Sequence, residues 1–343
     1  MNWLPAWALS VGFVIAAPAF ASSAGDLSAC SKAQQDRKFD DGVALCTRAL
    51  GAGNLTPSDQ AFAYARRGQM NRALRKYDEA IADFSEIIRL KPGFAQGYID
   101  RASAHMDKRE IDLAFADFDS AIRVEPDNAD ARLTRGYARS NRGLADLALT
   151  DFAAVIRLRP LSGAGYYARA GILRDKGQFD EAIRDYTQGI KINPDFVTGW
   201  IGRGRAYAAS GQLDKANQDY DQVLKIDLKS PEALNDRCYQ LAVVGRAEQA
   251  LADCDKALTL RANDAATLDS RGYVHLKLQN YQAAIADYDS AIRIVPEFPV
   301  ALYGRGVAKL KSGNETEGTA DIAEALKLDA AIADRMAKLG VAP

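Results

Sequence analysis

Histidine is almost missing from this chain: its 343 residues include only His105 and His275. Cysteine is scarce, at four, and tryptophan scarcer, at three. So few nitrogen and sulfur ligands leave no spacing suited to a zinc site, and four cysteines are too few for a small disulfide-built scaffold. An excess of charge of either sign is missing too. Lys and Arg number 44 against 45 Asp and Glu, mixed along the chain, for a formal net charge of −1. A protein that tracks phosphates carries a basic stripe, so nucleic acid is set aside as a partner. Glycine is plentiful, yet "GRGRAY" and "RGYARSNRG" fall at helix spacings, not in the strand-to-helix turn that cradles phosphate. No cofactor is expected, and no nucleophile with its acid and base stands out.

Long apolar runs are confined to the start. Residues 1–21, "MNWLPAWALSVGFVIAAPAFA", carry no charged side chain and end in Ala19-Phe20-Ala21 ahead of Ser22. An apolar core closed by small residues predicts a secretory signal peptide cleaved after Ala21. No Lys or Arg follows Met1, so an uncleaved anchor is the alternative, although the run is short for the ~20 residues of a bilayer span. "LSAC" at 27–30 resembles a lipoprotein motif, but Gly25 and Asp26 separate it from the apolar core. The expectation is a periplasmic or secreted chain with no membrane span after cleavage.

A strict rhythm occupies the rest. Arginine recurs at 67, 101, 135, 169, 203, 237, 271 and 305, and aspartate at 83, 117, 151, 185, 219, 253, 287 and 321. Both series step by 34, which defines an internal repeat. Repeats begin at 61, 95, 129, 163, 197, 231, 265 and 299, and one from Ser23 joins the register after a four-residue insertion at Pro57–Gln60. The chain thus divides into 1–21, a degenerate first repeat with linker at 22–60, eight repeats at 61–332, and a cap at 333–343. Within a repeat, apolar spacings of three and four, as at Tyr77, Ala80, Phe84, Ile87 and Ile88, predict two helices. Gly143, Gly177, Gly211, Gly245 and Gly313 share the slot between them, and Pro92, Pro126, Pro160, Pro194 and Pro296 follow the second, where a helix cannot continue.

Small residues and rings alternate in register. The eighth slot holds Gly68, Ala102, Gly136, Ala170 and Gly204; the twenty-fourth holds Phe84, Phe118, Phe152, Tyr186 and Tyr220. A ring over a small residue lets two helices approach closely. "GWIGRGRAYAASGQLDKANQDYDQVLKID", with Trp200, Gly204, Tyr207, Gly211, Ala216 and Tyr220, resembles the tetratricopeptide repeat family. The resemblance implies an all-α, right-handed superhelical solenoid of about nine helix-turn-helix repeats. Its first helices would line a concave groove, and a C-terminal helix would cap it. Arginine in the seventh slot departs from the family, where that slot is usually apolar. A guanidinium inside a packing layer needs a partner, so an ion ladder is expected, Arg169 with Asp185 and Arg203 with Asp219, within a repeat or between neighbours. An anion-binding stripe is the alternative.

Cys30 and Cys46 fill the small and ring slots of the first repeat, and Cys238 and Cys254 those of the seventh. In the resembled fold these slots face each other, which predicts the disulfides Cys30–Cys46 and Cys238–Cys254 and agrees with an oxidising compartment; buried thiols are the alternative. His105 and His275 share the eleventh slot and read as packing residues. The first-helix face carries Tyr137, Tyr167, Tyr239, Tyr273 and Tyr303, with Arg174, Arg205 and Asn235 interspersed. Tyrosines of this kind suit an interface, or they cover neighbouring helices. The Lys/Asn/Arg carboxylate clamp of chaperone-binding relatives is not evident. The tail "AAIADRMAKLG" places Ile332, Met336 and Leu339 on one helical face, as a terminal cap requires. The reading is a non-enzymatic periplasmic scaffold that binds a protein or peptide in its groove. The alternative is a structural accessory subunit of an envelope-assembly, secretion or glycan-handling complex, working through its convex face or edges. Partner identity and oligomeric state stay open.

Overall fold

The computed structural model describes residues 23–343; the signal-peptide reading of 1–21 lies outside the described residues. Among these, nineteen helices and no strand occur. Two compact units divide the described residues, the first running to residue 138 and the second covering 139–343. The first holds α1 (Ser23–Gln35), α2 (Phe39–Gly51), α3 (Pro57–Ala73), α4 (Tyr77–Leu90), α5 (Ala95–Asp107) and α6 (Ile111–Val124). The division falls within α7 (Ala129–Asn141). The second unit continues with α8 (Ala145–Leu158), α9 (Gly163–Asp175), α10 (Phe179–Ile192), α11 (Val197–Ala209), α12 (Leu213–Ile226) and α13 (Pro231–Val243). It ends with α14 (Ala247–Leu260), α15 (Ala265–Lys277), α16 (Tyr281–Ile294), α17 (Pro299–Lys311), α18 (Glu315–Leu328) and α19 (Ile332–Lys338).

Each helix buries one stripe. In α10 that stripe is Ala182, Asp185, Tyr186, Gly189 and Ile190, at the three-and-four spacing of a single face. The turn slot holds positive φ throughout, at Gly143, Gly177, Gly211, Gly245 and Gly313, but also at Arg75, Arg109 and Gln279. Backbone geometry there is set by the packing of the two helices, and four side-chain-bearing residues accept it, Arg37 of the first repeat being the fourth. The insertion at 57–60 is an extra turn of α3, whose N-terminus Thr56 caps by accepting from the Asp59 amide at 3.2 Å.

Rings close over small residues as the spacing predicts. A Cβ on Gly204 would meet Tyr220 Cε1 at 2.7 Å, and one on Gly68 would meet Phe84 Cε1 at 2.7 Å. The structure pairs Cys30 with Cys46 and Cys238 with Cys254, at Cα separations of 5.3 and 5.5 Å. All four are buried, each pair holding together two helices where the ring is absent.

The arginines work in two directions. Arg203 donates from Nε and Nη2 to the two Asp219 oxygens at 2.8 and 2.7 Å, and from Nη1 to Thr187 Oγ1 of the preceding repeat at 3.1 Å. Arg237 holds Asp253 at 2.6 Å through both donors and reaches back to Asp221 at 2.7 Å. Arg271 and Arg305 repeat the pattern with Asp287 and Asp255, and with Asp321 and Asp289. Each such arginine ties its own hairpin together and ties that hairpin to the one before. Arg169 holds Asp185 at 2.6 and 2.8 Å, but Ala153 occupies the position sixteen residues back where an acceptor would stand.

In the second unit, α9 touches α11, α11 touches α13, α13 touches α15 and α15 touches α17, whereas no two even-numbered helices touch. Closer approach on one side curves a stack towards that side. The odd-numbered helices therefore line the inner face of this unit.

Candidate functional site

A cavity of about 480 Å³ opens on that inner face, across α11, α13 and α15. Arg205 and Ala209 come from α11, Asn235, Asp236, Tyr239, Gln240 and Val243 from α13, and Ser270 from α15, with Leu339 at the rim. The slots explain the opening: successive first helices place their fifth, sixth, ninth and tenth residues here. From the second repeat to the ninth, the tenth slot is apolar, as at Ala206, except in the seventh, which has Gln240. The sixth slot varies, with Asp236 in the seventh repeat as Asp100 stands in the third.

Arg205 Nε donates to Asp236 Oδ2 at 2.6 Å. Burial pushes the Asp236 carboxyl up, the Arg205 bond pulls it down, and the net direction is upward. Asp269, one residue before Ser270 on α15, is more strongly affected: burial pushes its carboxyl up to about 7. Its Oδ1 is buried and unbonded, as are Asn235 Oδ1 and Gln240 Oε1.

The eight residues predicted for a groove separate into distinct roles. Arg205, Asn235 and Tyr239 meet at the cavity. Tyr273 stands against Tyr239, ring centroids 5.7 Å apart, but is 4% exposed, and its hydroxyl donates to the Leu339 carbonyl at 3.0 Å. Tyr303 is buried. Tyr167 is a wedge: its ring lies against Gly189 and Gly199, stacks 4.7 Å from Phe196, and its hydroxyl donates to the Asn193 carbonyl. Arg174 is bonded to its neighbour Asp175. Tyr137 is half exposed and belongs to the other compact unit. Sequence reasoning passed over Asp236, Gln240 and Asp269. Gln240 and Asp269 carried a signal, polar residues in slots that most repeats fill with apolar ones, whereas Asp236 carried none, its slot being polar elsewhere too, as at Asp100.

The tail does more than cover the last hairpin. Ile332 and Met336 of α19 are buried, and α19 packs on α17 and α18. Beyond it the Leu339 carbonyl accepts from Tyr273 and from Lys277 Nζ at 3.2 Å, so the chain end folds back onto α15. His105 is buried and polar in use, its Nδ1 2.7 Å from Glu110 Oε2. Among the described residues no group of His, Cys, Asp and Glu could hold a metal ion, and no helix is long and apolar enough to cross a membrane.

Comparison with known proteins agrees with this architecture. Tetratricopeptide-repeat family patterns match residues 31–93, 99–163 and 197–230, and TPR-repeat patterns match 171–209 and 272–313. Human DnaJ homolog subfamily C member 7 is 32% identical over 77 residues, 22% of this chain and 16% of that protein. The chain therefore spans only a small part of that curated relative. Among solved structures, the Cut9–Hcn1 hetero-tetramer of APC/C matches 93% of this chain and 66% of its own, with 14% identity and a TM-score of 0.60. A tetratricopeptide repeat protein from Parabacteroides merdae matches 72% and 98%, with 18% identity and a TM-score of 0.60. A repeat-containing protein from Cytophaga hutchinsonii matches 71% and 98%, with 17% identity and a TM-score of 0.56. At such identities the likeness concerns the fold. This chain is an all-α solenoid and belongs to the tetratricopeptide-repeat family.

Proposed function

We propose that the chain is an exported, non-catalytic scaffold that holds a protein or peptide partner on the inner face of its second unit. One observation carries this reading: Arg205, Asn235 and Tyr239 converge from two neighbouring helices on a single open cavity. Interfaces are anchored by such aromatic and arginine side chains in partly desolvated pockets. Export is supported by the apolar, uncharged stretch at 1–21 ending in Ala-Phe-Ala and by two cysteine pairs at bonding distance, since disulfides persist in oxidising compartments.

A second reading, an accessory subunit that docks by its edges, draws on Leu161 and Leu228. Both stand in loops between repeats, 86% and 67% exposed. Affinity capture from the organism's own envelope separates the two. Tyr239→Ala should lose the partner that the wild-type chain retains, while Leu161→Ser with Leu228→Ser should keep it. The reverse pattern would place binding at the edges.

A further inference from the structure

Resting on the inner-face reading, we propose that the cavity across α11, α13 and α15 is built to receive a lysine or arginine side chain of the partner. Three acceptors in this region have no donor: Asn235 Oδ1, Gln240 Oε1 and Asp269 Oδ1. Gln240 is only 8% exposed and lines the cavity, as does Asn235. Nearly all buried polar atoms in proteins are paired, so three unpaired acceptors in one neighbourhood describe a site waiting for donors. Lysine brings three donors and arginine five, and neither brings an acceptor.

The charges select a cation over a neutral donor. Arg205 is engaged by Asp236 at 2.6 Å, so it is not free to attract an anion and it cancels that carboxylate. Asp269 has no ion pair among the described residues. The groups nearest it electrostatically are the phenols of Tyr239 and Tyr288, which are neutral near pH 7 because burial raises both. Elsewhere on α15, Lys277 is held by the Leu339 carbonyl and His275 stands 3.8 Å from Asp287. The carboxylates of α14 and α16, Asp253, Asp255 and Asp287, are bonded to Arg237 and Arg271. On α17, Arg305 and Lys309 are bound to Asp321. One carboxylate remains uncompensated, behind the cavity wall. Asp269 does not line the cavity, but the next residue, Ser270, and its electrostatic neighbour Tyr239 do. The Tyr239 ring suits the stem and head of a long cation. The cavity's volume of about 480 Å³ lies in the range of ligand pockets.

The test uses the mature chain and labelled nine-residue Gly/Ser peptides with a central lysine, arginine, norleucine or citrulline. Fluorescence anisotropy near pH 8 should show the lysine and arginine probes binding about ten-fold more tightly than their neutral counterparts, as a charge-assisted bond gives. In Asp269→Asn, and in Asp269→Ser as a second variant, that preference should vanish. It should also shrink towards pH 5.5 as the carboxyl takes up a proton. Equal binding of lysine and norleucine, a preference that survives in both variants, or no binding by any probe would overturn the proposal. The two readings fail separately: if Tyr239→Ala loses the native partner but Asp269→Asn keeps it, only the cation falls. If Tyr239→Ala keeps the partner, the inner-face reading falls first.

Discussion

An arginine in a packing layer survives because one edge of its guanidinium is fully bonded, and in several repeats the other edge is bonded as well. Bidentate bonding to one aspartate offsets the loss of water. At Arg169 the Asp185 bond raises the guanidinium's value, against burial that lowers it. Asp219 shows the opposite balance, burial pushing the carboxyl up against the pull of Arg203. The pairs span the two helices of one hairpin. Asp185→Ala leaves a partly buried guanidinium alone and should cost about 3 kcal/mol in a denaturant titration, with partner capture intact at a permissive temperature. Normal stability with lost capture would make the ladder a binding stripe. Asp269 gives a second prediction with a definite sign. Its folded value of about 7 lies above the ordinary ~3.9 of an aspartate, so between these the folded chain binds the extra proton. Stability falls as pH rises through that window. Thermal midpoints should drop more steeply from about pH 4.5 to pH 7.5 in the wild type than in Asp269→Asn; parallel slopes would show a carboxyl open to water.

Helices and turns were legible from the sequence wherever a feature recurs, because a period averages away the accidents of single positions. Gly204 beneath Tyr220 and Cys238 opposite Cys254 could be placed by slot alone, and they meet in space. Conformation that is enforced by packing was not legible. Glycine marks the turn in five repeats, but Arg75, Arg109 and Gln279 adopt the same left-handed backbone without it. The closed hairpin demands that geometry whatever residue stands there. Gln279 therefore carries a strain that glycine lacks, and Gln279→Gly should raise stability by about 1 kcal/mol, read as a higher denaturation midpoint with an unchanged slope. A lower midpoint would mean that the side chain contributes more than its backbone costs. The second rung of the ladder was equally hidden, since the 34-residue step cannot say whether Arg237 bonds forward to Asp253, backward to Asp221, or to both.

At the scale of the molecule, the inner face was foreseeable and its occupants only partly so. Tyrosines at first-helix positions are equally at home under a neighbour and facing a ligand, and spacing does not tell the two apart. Tyr273 and Tyr303 are buried in the body of the second unit, the former bonded to a tail sixty-six residues later, whereas Tyr239 keeps an open side at the cavity. Asp236 and Asp269 were passed over because isolated acids are common on helices; only burial gives them meaning. The central claim is that partners are held where these residues meet. A benzoylphenylalanine photocrosslinker installed at Tyr239, and separately at the exposed Lys256 of α14, tests it most directly in the native envelope. Illumination should yield a discrete adduct from position 239 and none from position 256. An adduct from 256 alone would contradict the account.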